Sequence, residues 1–263
     1  MLFSDHPRTH YQKAPVHEVI CQLRFPSILS INTTEPADFQ EMIRAEFPQY
    51  ARRQDRPQPR LVTTSAGAKL EQQPPITNHH FLSADHCWKV NLTPNFISLS
   101  TVRYTDWETF ARYLDQALAA FIQIYKPAYF QRVGLRYLNL FSRQRLDEVG
   151  TPWSDLIAPV YLGAMQEPDI SEADVLNSGV DLLLKLDNSC QTKIHAGPGR
   201  LKVTNANVPQ DPEIKFVLDM DLVMNGNTPC TLAAAGLETL HAHATRIFEG
   251  ALTERVRQAM QPE

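Results

Sequence analysis

The residues best suited to chemistry are arginines and carboxylates that alternate along several stretches of the second half of the chain. In residues 132–141 the outward positions include Arg132, Gly134 and Arg136, and in 178–187 they include Asp181, Lys185 and Asp187. In 213–224 they include Lys215, Asp219 and Asp221, while Lys193 and His195 share a face of the stretch between. A period of two puts such residues on one side of a strand, so neighbouring strands set arginine across from carboxylate. That face is either solvated and laced with cross-strand ion pairs, each contributing ~0.2–1 kcal/mol, or a groove for a ligand or partner. Arginine's planar fork suits carboxylate and phosphate groups. Arg132, Gly134, Arg136, Asp219 and Asp221 form the candidate ligand- or partner-binding set. Glycine weakens a strand unless a bulge or a close approach requires it, so Gly134 predicts a neighbouring element, a second subunit or a ligand lying over it.

Other constellations carry less. His79 and His80 precede Asp85, His86 and Cys87, a set that invites a metal reading. The two adjacent histidines point to opposite faces of a strand, however, which favours an exposed loop end beside Trp88. His241 and His243 lie roughly 200° apart on a helix and share no ligand, so one is expected to face the sheet as a satisfied histidine and the other solvent. Residues 196–202 resemble a phosphate loop but lack its spacing and open no helix, which predicts a tight turn. Cys21, Cys87, Cys190 and Cys230 are widely spaced without a C-x-x-C pair, as expected for reduced thiols. No catalytic residue, metal or cofactor is predicted.

The chain has 263 residues, 43% apolar and 21% charged, enough for one large domain or two small ones. A net charge of −4 argues against a general phosphate-binding surface. Nucleic-acid binding through Arg52, Arg53, Arg56 and Arg60 is therefore disfavoured. The N-terminus shows no secretory pattern and no segment reaches ~18 apolar residues, so a cytoplasmic protein without a membrane segment is expected.

The positioning elements follow from periodicity. Val19, Cys21, Leu23 and Phe25 alternate as a half-buried strand, and Phe39, Ile43 and Phe47 mark a short helix over 35–47. Residues 52–59, rich in Arg, Gln and Pro, read as a loop. Strand signals return at 60–64, 79–83, 88–92 and 96–103, then a helix opens at Thr105 with Glu108 as its capping-box partner and ends at Pro127. The order then repeats: a strand over 131–141, an irregular piece over 153–162, strands at 178–187, 190–196 and 213–224, and a closing helix over 231–260. The expectation is an α+β protein of two similar halves, 1–127 and 128–263, each an antiparallel sheet covered by a long helix.

Four stretches also resemble a sporadically distributed prokaryotic family of about this length. They are Tyr11-x-x-Ala14-Pro15-Val16-x-Glu18-Val19; Trp88 through Tyr104 with Trp107-Glu108-x-Phe110; Arg132-Val133-Gly134-Leu135-Arg136-Tyr137-Leu138-Asn139; and the tail, His241 through Phe248-Glu249 with Leu252-Thr253-Glu254. The resemblance implies no agreed catalytic residues, cofactor or substrate. The family's patchy distribution implies an accessory gene of the stress or phage-defence kind. The expected function is accordingly a non-enzymatic binding or interaction protein, an accessory, sensor or neutralising component with a protein partner or a second copy of itself. The alternatives are an enzyme with an unfamiliar Arg/Asp site, and a nucleic-acid binder.

Overall fold

The structure, a computed structural model, describes residues 2–56, 58–64, 67–200 and 211–263. In chain order the elements are β1 (Val16–Arg24), α1 (Ser30–Thr33), α2 (Ala37–Ile43), β2 (Gln49–Asp55), β3 (Arg60–Thr64), β4 (Gly67–Glu71), β5 (Ile76–Leu82), β6 (Trp88–Thr93), β7 (Phe96–Thr101) and α3 (Trp107–Tyr125). They continue with β8 (Phe130–Phe141), α4 (Trp153–Leu156), β9 (Val180–Lys185), β10 (Cys190–Gly199), β11 (Lys215–Thr228), α5 (Ala233–Ala251) and α6 (Glu254–Ala259). This is a mixed α+β fold.

Nine strands form one antiparallel sheet in the order β2-β5-β6-β7-β1-β8-β11-β10-β9, and β3 and β4 make a separate hairpin. The sheet is continuous across the boundary between 127 and 128, because β1 pairs with β8 as well as β7. Separate sheets for the two halves, as the periodicity suggested, are therefore not formed. Outward from the β1–β8 pair the strands run β7, β6, β5 and β2 on one side and β11, β10, β9 on the other.

Alternation decides which face is covered. Val19, Cys21 and Leu23 of β1, Val133 and Leu135 of β8, and Leu218, Met220 and Leu222 of β11 are all at most 1% exposed. Against this face α3 buries Phe110, Leu114 and Phe121, with the Phe121 ring 4.6 Å from Phe25. α5 lies across β8 and β11 and buries Leu237, Leu240, Ala244 and Ile247. Burial of such side chains contributes roughly 1.5–3 kcal/mol each and is the main force holding the helices to the sheet.

Three sequence expectations are corrected. Residues 52–59 are not a loop throughout: β2 pairs with β5 as an edge strand, and its exposed Tyr50–Asp55 side chains leave no apolar alternation to read. Asp106, not Thr105, caps α3, accepting the Thr109 N–H at 2.6 Å, and Glu108 is drawn instead to Arg8. The closing helix breaks at Leu252, whose backbone is extended, and Thr253 caps α6 by accepting the Val256 N–H. No helix among the described residues is long and apolar enough to cross a membrane.

Candidate functional site

β8 carries two different surfaces. From Arg132 to Leu140 its even-numbered positions face away from the helices, and there the predicted set assembles. Arg136 donates to Asp219 through Nε at 2.7 Å and Nη2 at 2.5 Å, and Arg132 reaches both Asp221 oxygens at 3.1 and 3.2 Å. Each arginine pairs diagonally, since Asp221 lies directly opposite Arg136 and Asn225 opposite Arg132. The side chain of Arg136 is 45% exposed and that of Asp219 is 20% exposed. The fork on Asp219 raises the Arg136 pKa above its ordinary value. A shallow groove beside this pair is lined by Arg136, Asp181, Lys193, His195, Asp219 and Asp221.

The group that lies over Gly134 within the chain comes from its own strand. It is the guanidinium of Arg132, folded back along its own strand to 2.5 Å from where a glycine Cβ would stand. Glycine leaves the space in which Arg132 lies flat to reach Asp221. The predicted residues thus meet, but they satisfy one another.

On the helix side of β8, at Tyr137 and Asn139, lies a cavity of about 690 Å³. Its floor includes Tyr137 and Asn139 of β8 and Met220 of β11. One wall is α5 from His241 to Glu249, another is residues 102–106 with the first turn of α3, and the third is the segment 8–14. The last is held at both ends. Arg8 forks onto Glu108 at 2.7 and 2.8 Å, while Tyr11 bridges to Pro262 and donates to the Glu249 carboxylate at 3.1 Å.

Two polar clusters occupy this cavity. Tyr137, 5% exposed, shares a 2.9 Å hydrogen bond with His241 Nδ1. The His241 ring stacks on Trp107 at 4.4 Å and 6°, and Trp107 in turn donates to Glu238. His241 Nε2 is buried without a partner, so the histidine is only half satisfied, contrary to the sequence expectation. Tyr104 meets Tyr137 edge-on at 5.8 Å. Burial, reinforced by Arg8, pulls the His241 pKa down to about 4, and burial pushes Tyr104 up to about 12 and Tyr137 well above its ordinary value. All three are uncharged at neutral pH. In the second cluster, Glu249 is 1% exposed, with Arg257 at 3.5 Å and His6 at 3.8 Å. Burial raises its pKa despite these partners.

Sequence reasoning singled out none of these cavity residues as a site, although its four family-like stretches supply Tyr11, Tyr104, Glu108, Tyr137, Asn139, His241 and Glu249 to the walls. The available signal was polarity at core-facing positions. Tyr137 and Asn139 fall in register with Val133 and Leu135, and Asn139 is 1% exposed.

The remaining candidates are structural. His79 is not at an exposed loop end as expected: it lies within β5, is 1% exposed, and bonds to Ile31 O and Tyr50 Oη, both at 2.9 Å. Asp85 and His86 sit in the turn before β6, as expected of a loop end, and Arg103 binds Asp85 at 2.7 Å. The glycine-rich run is not a turn up to Gly199: β10 continues through it, and Gly197 admits the Ser178 carbonyl to 2.5 Å from a would-be Cβ. Leu201 and Lys202 lie outside the described residues. Arg52 of the arginine-rich stretch is paired with Glu35. Compared with known protein families and with curated proteins, the chain matches none.

Proposed function

We propose that this is a non-enzymatic binding protein whose ligand occupies the helix-side cavity. The observation that carries this reading is the buried Tyr137–His241 pair, with an unpartnered Nε2, on the floor of a cavity of about 690 Å³. Ligand sites are concave, mostly preformed, and place a few polar groups among apolar ones. A buried ring nitrogen without a partner is costly, and a ligand that pairs with it recovers that cost. The protonation states favour recognition over catalysis. A general base works best with a pKa near ambient pH, whereas His241 stays neutral and both tyrosines stay protonated. The ligand chemistry that fits is a compact, uncharged ring system with hydrogen-bonding edges, stacked among Tyr104, Tyr137 and Phe248.

The alternative Arg/Asp enzyme is less well supported, because Arg132, Arg136, Asp219 and Asp221 already pair with each other. An accessory or sensor role, the setting implied by the family resemblance, suits a protein that closes a tethered N-terminal segment over a ligand. The same reading takes the symmetric strand order about β1 and β8 as the trace of an internal duplication, with the cavity near its centre.

The test is a thermal-shift screen of small ring-containing metabolites on wild type and on Thr245→Trp, which fills the cavity from α5. A compound that stabilises wild type, loses its effect in Thr245→Trp and weakens in Tyr137→Phe supports the assignment. Ligands whose effect survives in Thr245→Trp place binding elsewhere.

A further inference from the structure

The turn between β9 and β10 meets the middle of α5 at a carboxylate, a thiol and an imidazole. Asp187, Cys190 and His243 each offer one donor atom, and the three atoms lie within 4.8 Å of one another. We propose that they form a zinc site that fastens the β9–β10 edge of the sheet to α5.

The local chain builds this arrangement. Asp187 Oδ1 accepts the Ser189 and Cys190 N–H groups at 2.7 Å and the Ser189 hydroxyl at 3.0 Å. That anchoring turns Oδ2 toward His243 Nε2, 3.1 Å away. Oriented carboxylates of this kind are what metal sites require around their ligands. Cys190 starts β10 on its helix-facing side and is 1% exposed, while the His243 side chain is 19% exposed and leaves a path to solvent. Zinc binds sulfur at about 2.3 Å and nitrogen or oxygen at about 2.0–2.2 Å in a tetrahedron, so its ligand atoms stand about 3–4 Å apart. The cluster needs only small rotamer adjustments to reach that geometry. A mixed sulfur, nitrogen and oxygen set suits zinc and not calcium or magnesium, which take oxygen alone. Three protein ligands leave the fourth position to water.

Binding of Zn²⁺ forms the Zn–S bond and releases the thiol proton to the buffer. The site does not depend on the cavity reading, although His243 is two residues from His241.

The experiment uses the whole protein, stripped with a chelator and titrated with Zn²⁺ alone by calorimetry and Co²⁺ alone by absorbance. One equivalent should bind, with a thiolate-to-cobalt charge-transfer band and a rise in melting temperature on the order of 5–10 °C. Cys190→Ser should abolish the band, and His243→Ala should weaken binding by about tenfold or more. Cys87→Ser, at the other end of the sheet, should change neither. No stoichiometric binding in wild type, or a band that persists in Cys190→Ser, overturns the proposal.

Discussion

Arg136 and Tyr137 are joined by one peptide bond and leave the sheet in opposite directions. Arg136 enters a face where Arg132, Arg136, Asp219 and Asp221 have each found a partner on an adjacent strand. Tyr137 enters a cavity where partners come from elements far away in sequence and one buried nitrogen has none. The first face carries the more conspicuous residues, and the second carries the unsatisfied chemistry. Unpaired capacity, more than the density of charged side chains, is what a ligand can use, because a group already bonded must lose one partner to gain another.

The sharpest way to break this contrast is to truncate both sides. Tyr137→Ala removes a side chain only 5% exposed and the one partner of His241 Nδ1. It should cost ~3–5 kcal/mol by thermal or urea unfolding, as large aromatic deletions in cores do. Tyr137→Phe keeps the ring and should cost only ~1 kcal/mol. A small effect of the alanine change would mean that the cavity is not supported as the structure indicates.

Acid should act through the cavity. The His241 pKa is about 4 in the folded chain against an ordinary 6.5. Between those values the unfolded chain holds a proton that the folded chain does not. Stability fully present above pH 6.5 is therefore lost as pH falls toward 4, by roughly 2–3 kcal/mol. Glu249 works in the opposite sense: its pKa is raised, so its contribution is greatest when protonated and declines as pH rises above 4.5. The His241→Gln variant separates the two. Melts at constant ionic strength should show a flatter acid limb in the variant, and parallel limbs would remove His241 from the account.

These contrasts track what was legible in the sequence. A period of two is local information, so the faces of β1, β8 and β11 could be read directly, whereas the meeting of Arg132 and Arg136 with Asp219 and Asp221 also required β8 and β11 to be neighbours, which alternation leaves open. Tyr137 and His241 are 104 positions apart and Tyr11 and Glu249 are 238 apart, and no local pattern links them. β2 escaped because an exposed edge strand has no buried side from which to take a period. The break at Leu252 escaped because the apolar stripe of α5 resumes at Val256 in α6 after the turn. Gly134 was recognised as needing close cover, but a guanidinium two residues back was not foreseen, since strand reasoning places that side chain outward.

On the open face the expected effects are smaller. Arg136→Ala removes a bidentate but half-exposed pair, and should cost ~0.5–1 kcal/mol. Arg136→Lys should recover part of it, since a single ammonium replaces the fork. Ligand binding in the cavity should be unchanged in both. A loss above ~3 kcal/mol would show that the pair behaves as a buried one, and lost ligand binding would move the functional site to this face.

The smallest effect is also the most discriminating. A Cβ at position 134 would stand 2.5 Å from Arg132 Nη1 and 3.0 Å from its Cζ, so Gly134→Ala must displace the guanidinium. The colliding atoms are the far end of a flexible side chain, which can swing outward at the expense of its contacts with Asp221 at 3.1 and 3.2 Å. For a pair in which the side chains are 24% and 42% exposed, that loss is ~0.2–1 kcal/mol. Replacing glycine within a strand returns ~0.5–1 kcal/mol by restricting the unfolded chain. The two terms nearly cancel, and the single variant should fall within ~0.5 kcal/mol of wild type. With Arg132→Ala already in place the collision is absent, and the same glycine change should stabilise by ~0.5–1 kcal/mol. A double-mutant cycle by urea unfolding measures the coupling. If Gly134→Ala is equally destabilising with and without Arg132, something other than this arginine fills the space above the glycine.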